Sequence, residues 1–114
     1  MKNILLVCAA GMSTSMLVKR MQEHAAASGI AVNINALAIS EAKEKIKKNA
    51  VDVVLLGPQV RFQKSEIEEV AHGKMPVAVI DMKYYGQMDG PAVLDSALTL
   101  LAINNSLSIT PVNA

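Results

Sequence analysis

The sequence predicts an α/β fold: a single domain with a four-stranded parallel sheet of order 2-1-3-4 and helices on both faces. Three observations carry this. Two apolar runs, Ile4-Leu5-Leu6-Val7 and Val51 to Leu56 (broken only by Asp52), read as strands buried on both faces, the pattern of a parallel sheet covered by helices. A further segment, Ile30 to Leu37, alternates apolar with polar residues, as a half-buried edge strand does. Segments of helical period lie between these runs, and strands alternating with helices imply βαβ units.

Each element has its own warrant. The first strand spans Asn3 to Cys8. A helix opens at Ser15-Met16-Leu17-Val18, with Ser13 or Thr14 as its cap. Leu17, Met21 and Ala25 recur at helical spacing and face the core with Val18, while Lys19, Arg20, Gln22 and Glu23 face outward. Gly29 stops this helix. Ser40 caps a short charged helix, Glu41 to Asn49. The strand ending at Leu56 runs into Gly57-Pro58-Gln59. Glu66 to His72 reads as helix, closed by Gly73. Pro76 to Asp81 is the fourth strand, with proline at its first position, where no ladder N–H is lost. Met82 to Gly90 reads as a loop. Pro91 suits the first turn of a last helix, Ala92 to about Asn104, with Val93, Ala97, Leu98 and Leu101 as its apolar face. The domain is expected over residues 1–104. Residues 105–114 show no period and are expected to fray.

Composition excludes several function classes. The chain has 114 residues, enough for one hydrophobic core, with 52% hydrophobic and 18% charged residues, a globular balance. A net charge of +1 gives no footprint for nucleic acid or an anionic membrane, and 3% aromatics leave few stacking platforms. No apolar stretch approaches the roughly 20 residues of a membrane helix, and the first residues do not read as a signal peptide. One cysteine forbids an internal disulfide and suits a reducing, cytoplasmic setting. Nothing in the pattern suggests a metal, a nucleotide or another cofactor.

That cysteine carries most of the functional signal. Cys8 ends the first buried strand and is followed by Ala9-Ala10-Gly11-Met12-Ser13-Thr14-Ser15. The 2-1-3-4 order reverses direction between strands 1 and 3, and ligands bind outside the carboxyl ends of the strands at such a switch point. A helix N-terminus offers backbone N–H groups without intrahelical partners and a partial positive charge, which suits an anion. A phosphoryl group on sulfur is such an anion. The amides of residues 9–15 could wrap its oxygens, Gly11 permits the turn, Ser13, Thr14 and Ser15 add hydroxyl donors, and Ala9 and Ala10 leave room. Met12 offers an adaptable apolar contact. Gln59 faces the switch point, Asp81 ends the fourth strand on the same edge, and Tyr84 with Tyr85 stands near the rim, so Gln59, Asp81 and Tyr84 are possible accessory residues.

The loop is similar to that of low-molecular-weight tyrosine phosphatases, which also place a cysteine after the first strand of such a sheet. Their loop is cysteine, five residues, then arginine and a hydroxyl residue. Thr14 stands here at the arginine position. Without a guanidinium to clamp the transition state, hydrolysis should be poor and a phosphocysteine should persist. More closely, the segments Cys8 to Val18, Asp52 to Val60, Val79-Ile80-Asp81 and Tyr85-Gly86-Gln87-Met88-Asp89-Gly90 resemble the IIB component of the lactose/cellobiose class of the bacterial sugar phosphotransferase system, across residues 3–102. The resemblance implies a phosphotransferase. It implies that Cys8 accepts phosphoryl from a phosphohistidine of a IIA protein and passes it to a sugar bound in a membrane IIC protein. A β-linked disaccharide of cellobiose, chitobiose or lactose type is the implied sugar. Arg61 to Lys64 departs from the family pattern, and no role is carried onto it. Two other classes compete: a phosphatase or arsenate-reductase-like enzyme, disfavoured by Thr14 and the lack of a second cysteine, and a non-catalytic anion-binding regulatory module.

Overall fold

The computed structural model describes residues 2–8, 12–48 and 50–109, with the side chains of residues 12–14 and 103–109 outside the description. Four parallel strands, β1 (Lys2–Cys8), β2 (Val32–Ala38), β3 (Val53–Leu56) and β4 (Val77–Val79), pair in the order β2-β1-β3-β4. The helices are α1 (Met12–Ala27), α2 (Ile39–Lys47), α3 (Lys64–Ala71), α4 (Met82–Gly86) and α5 (Gly90–Ile109), with a 3-10 helix at Pro58–Gln63. This is the architecture expected from the two unbroken apolar runs and the alternating edge strand.

The unbroken runs are buried on both faces, as a central parallel strand requires. Ile4 and Leu6 of β1 and Val53 and Leu55 of β3 pack with Leu17, Met21 and Ala25 of α1 and Val93, Leu94 and Ala97 of α5. Their alternates Leu5, Val7, Val54 and Leu56 pack on the other face with Ala42 and Ile46 of α2 and Ile67 and Ala71 of α3. The sheet thus separates two cores. β2 buries only Ile34, in keeping with its place at the edge.

Several boundaries differ from expectation, each for a local reason. Gly29 takes φ +70 after α1. The Gly29 N–H donates to Ala26 O at 3.3 Å and the Ile30 N–H to Ala25 O at 2.8 Å, the paired bonds of a Schellman motif. Ile30 therefore belongs to the helix ending, and β2 begins at Val32. α1 starts at Met12, so Ser13 and Thr14 lie in its first turn and do not precede it. α2 starts at Ile39 with Ala38 as its N-cap, leaving Ser40 inside the helix without a capping role. Residues 58–63 wind into the 3-10 helix that leads into α3. The segment expected as a loop, Met82 to Gly90, contains α4. α5 starts at Gly90, with Pro91 in its first turn, and its backbone continues to Ile109, beyond the expected end near Asn104.

The junction of α4 and α5 is anchored to α1. The Asp89 carboxylate accepts the Ala92 N–H at 3.1 Å, capping α5. Arg20 Nη1 donates to Met88 O at 3.3 Å. Gly90 lies against the α1 backbone: a Cβ there would stand 2.7 Å from the Arg20 carbonyl carbon and 2.8 Å from the Met21 nitrogen. Close packing of the two helices needs glycine at this position.

Candidate functional site

β1 delivers Cys8 to the carboxyl edge of the sheet, at the switch point between β1 and β3. Its side chain is buried, 2% exposed, and Sγ lies 3.9 Å from Leu37 O of β2. α1 starts at Met12, so the amides of its first turn lie close along the chain to the thiol. Ala9, Ala10 and Gly11 lie outside the described residues, as do the side chains of Met12, Ser13 and Thr14. Ser15, the last residue of the expected cradle, is exposed in the first turn of α1.

Register places a second residue beside the thiol. Val7 pairs with Leu56, and the Gly57 N–H donates to Val7 O at 2.8 Å, carrying the ladder one step further. Cys8 and Gly57 are therefore neighbours across strands about 4.8 Å apart. By the alternation of both strands they face the side that carries α1 and α5. The space a Cβ would take at Gly57 is bounded by Gln59 Oε1 at 3.0 Å, Tyr85 Cε1 at 3.6 Å and Val7 O at 3.6 Å. Three elements thus meet beside Cys8: the end of β1, the 3-10 helix and α4.

Of the accessory residues, Gln59 folds its side chain over Gly57. Asp81 caps α4, its Oδ1 accepting the Lys83 N–H at 2.8 Å. It sits at the end of the outer strand β4, two strand spacings or about 10 Å across the sheet from β1. Tyr84 lines a small cavity between β4 and α5 with Ala78, Ile80 and Val93. The tyrosine whose ring reaches Gly57 is Tyr85. Sequence reasoning put both tyrosines near the rim and took Tyr84 as the accessory residue, because two adjacent tyrosines on an expected loop carry no facing, whereas on α4 they point apart. The segment that departs from the family pattern holds Arg61, whose Nη1 donates to Pro58 O at 3.1 Å, and Phe62, which is exposed. His72 is the left-handed C-cap of α3, and His24 lies in the last turn of α1; both are remote from the carboxyl edge of β1 along their helices. Among the described residues no three His, Cys, Asp or Glu side chains group to hold a metal, and no helix is long and apolar enough to cross a membrane.

Comparison with known proteins points the same way as the geometry. Residues 3–96 match the family model described as the PTS system lactose/cellobiose-specific IIB subunit. The oligo-beta-mannoside-specific EIIB component of Bacillus subtilis is 45% identical over 102 residues, covering 89% of this chain and 97% of that protein. The galactose-specific EIIB component of Lactococcus lactis is 42% identical over 104 residues, covering 88% and 96%. The solution structure of the cellobiose-specific phosphotransferase IIB component of Borrelia burgdorferi superposes with a TM-score of 0.75 at 42% identity, over 90% of this chain and 94% of that one. The expected phosphotransferase class agrees with these likenesses: the chain belongs to the lactose/cellobiose-specific IIB subunits of the sugar phosphotransferase system.

Proposed function

We propose that Cys8 is the covalent phosphoryl carrier of this subunit. Its thiolate attacks the phosphorus of a phosphohistidine on a IIA protein; the S–P bond forms, the N–P bond breaks and the imidazole leaves. A hydroxyl of the sugar held by a membrane IIC protein then attacks the phosphorus, the O–P bond forms, the S–P bond breaks, the thiolate is regenerated and the hydroxyl proton passes to solvent. The observation that carries this is the position of Cys8, delivered by a buried strand to the switch point beside the start of α1. Backbone amides of residues 9–15 and the hydroxyls of Ser13, Thr14 and Ser15 hold the phosphoryl oxygens, Gln59 borders them, and Asp81 acts as a helix cap and not as an acid. Thr14 in place of a guanidinium supports a carrier over a hydrolase.

Among the described residues, three large apolar side chains are exposed on the elements that follow the carboxyl ends of β1, β3 and β4: Met16 (48%), Phe62 (77%) and Met82 (65%). Carried by elements that begin at the edge where Cys8 lies, they supply the contact area for IIA and then IIC, both met on the cytoplasmic side of the membrane. Flexible methionine suits a surface that must fit two partners. The relative named for oligo-beta-mannoside and the solved structure named for cellobiose support a β-linked disaccharide of cellobiose, chitobiose or lactose type as the sugar, whereas the relative named for galactose points to a monosaccharide.

The test is intact-mass analysis with peptide mapping after incubation with phosphoenolpyruvate, the general phosphotransferase proteins and IIA. Wild-type protein should gain one phosphoryl group on the peptide that contains Cys8, and Cys8→Ser should gain none while keeping its fold. A Cys8→Ser protein that still takes phosphoryl from IIA refutes the assignment.

A further inference from the structure

Tyr85 is held in place from several directions. Its N–H donates to Asp81 O at 2.9 Å and its carbonyl accepts the Met88 N–H at 3.1 Å. The following turn is tied to α1 by Arg20 and by the close seat of Gly90. The ring packs half-buried against the core on the α1 and α5 side and comes to 3.6 Å from the Cβ position of Gly57. Position 57 has no side chain, so nothing of its own stands between the end of β1 and the groups that lie over it from the 3-10 helix and α4. The ring of Tyr85 and the amide of Gln59 are the two side-chain groups that lie over position 57, and of the two the ring is the fixed one, because Gln59 is a long, exposed side chain.

We propose that Tyr85 shields the Cys8 sulfur and its phosphorylated form from water on the β3 and α4 side, a positioning role that rests on Cys8 as the phosphoryl carrier. The reaction it suppresses is hydrolysis: a water oxygen attacks the phosphorus, the S–P bond breaks, the thiolate leaves with the electron pair, and inorganic phosphate and a proton pass to solvent. A carrier must outlast the interval between donor and acceptor, and excluding water from a reactive intermediate is one way to achieve this. The ring does this by bulk, so its hydroxyl is dispensable.

Two measurements on wild type, Tyr85→Phe and Tyr85→Ala test the shield, with thermal unfolding as the fold control and Tyr85→Leu replacing Tyr85→Ala should the latter not fold. The first is the rate of inorganic phosphate release from each phosphorylated protein after removal of IIA. The second is the rate at which iodoacetamide alkylates the unphosphorylated thiol at one fixed pH. Tyr85→Ala should release phosphate about tenfold faster and be alkylated faster to a similar degree, with Tyr85→Phe at the wild-type rate in both. Wild-type rates for Tyr85→Ala in either measurement, or an effect equally large in Tyr85→Phe, overturn the proposal. Failure of wild type to take phosphoryl on Cys8 refutes the carrier assignment instead, and alkylation then decides the shield alone.

Discussion

Gly57 owes its place to room and not to backbone conformation. Its φ of −63° and ψ of 151° are open to any residue. What a side chain cannot share is the point where Gln59, Tyr85 and the end of β1 converge, one strand spacing from the thiol. A Cβ there meets first the tip of Gln59, a flexible side chain that can swing away, so Gly57→Ala should fold normally with a stability change of less than about 1 kcal/mol. It should nevertheless slow phosphoryl uptake by Cys8 markedly, because the added methyl narrows the space in which the phosphoryl group must sit. Denaturant midpoints paired with phosphorylation rates from IIA check both halves; a variant as fast as wild type would remove Gly57 from the site. At this scale Cys8 was legible because strand end, small residues and hydroxyls coincide around it. Gly57 was legible only as the start of a loop at the switch point and Tyr85 only as one of two tyrosines near the rim, since their placement beside Cys8 lies in the pairing of β1 with β3 and in the turn of a helix that local pattern did not reveal.

The elements show which local signals survive folding. Strongly periodic segments kept their identity: the stripe of Leu17, Met21 and Ala25 is buried on α1 as its spacing requires. Boundaries moved where backbone hydrogen bonds outcompeted side-chain preference. Ile30 is apolar and fits the strand pattern, yet its N–H is used by the Schellman turn, which fixes it to α1. Ser40 is a good cap by type, but the chain turns helical before it. The segment Met82 to Gly90, rich in turn residues, hid a five-residue helix whose capping acid, Asp81, reads from the sequence as a strand end that caps a loop. Gly90 is the element-scale residue most open to test. A methyl at this position meets α1 backbone, which cannot yield as a side-chain tip can. Gly90→Ala should therefore destabilise the fold by about 1–3 kcal/mol through forced separation of α1 and α5. Urea unfolding measures it, and a value near zero would mean that the helices seat themselves differently.

The whole molecule is two cores back to back on one sheet, and only one of them lies under the site. Leu17 of α1 and Ile67 of α3 are both fully buried, at 1% and 0% exposure, but on opposite faces. Truncating either to alanine leaves a cavity in a close-packed interior, at a cost of about 2–5 kcal/mol. The consequences for function should diverge. Leu17 sits on the helix whose first turn is proposed to supply amides to the phosphoryl group, so a cavity beneath it loosens the alignment of that turn with Cys8. Ile67 packs α3 against the far side of the sheet, where Leu5, Val7, Val54 and Leu56 transmit little, because the central strands are held by ladders on both sides. Under conditions where both variants are fully folded by near-native amide exchange in β1 and β3, Leu17→Ala should accept phosphoryl from IIA several-fold more slowly than wild type, whereas Ile67→Ala should match it. Stopped-time phosphorylation assays separate the two. Equal impairment would mean that global stability, and not the seating of α1, sets the rate, and equal proficiency would mean that the amides of the first turn tolerate displacement, which a backbone cradle for phosphate does not allow.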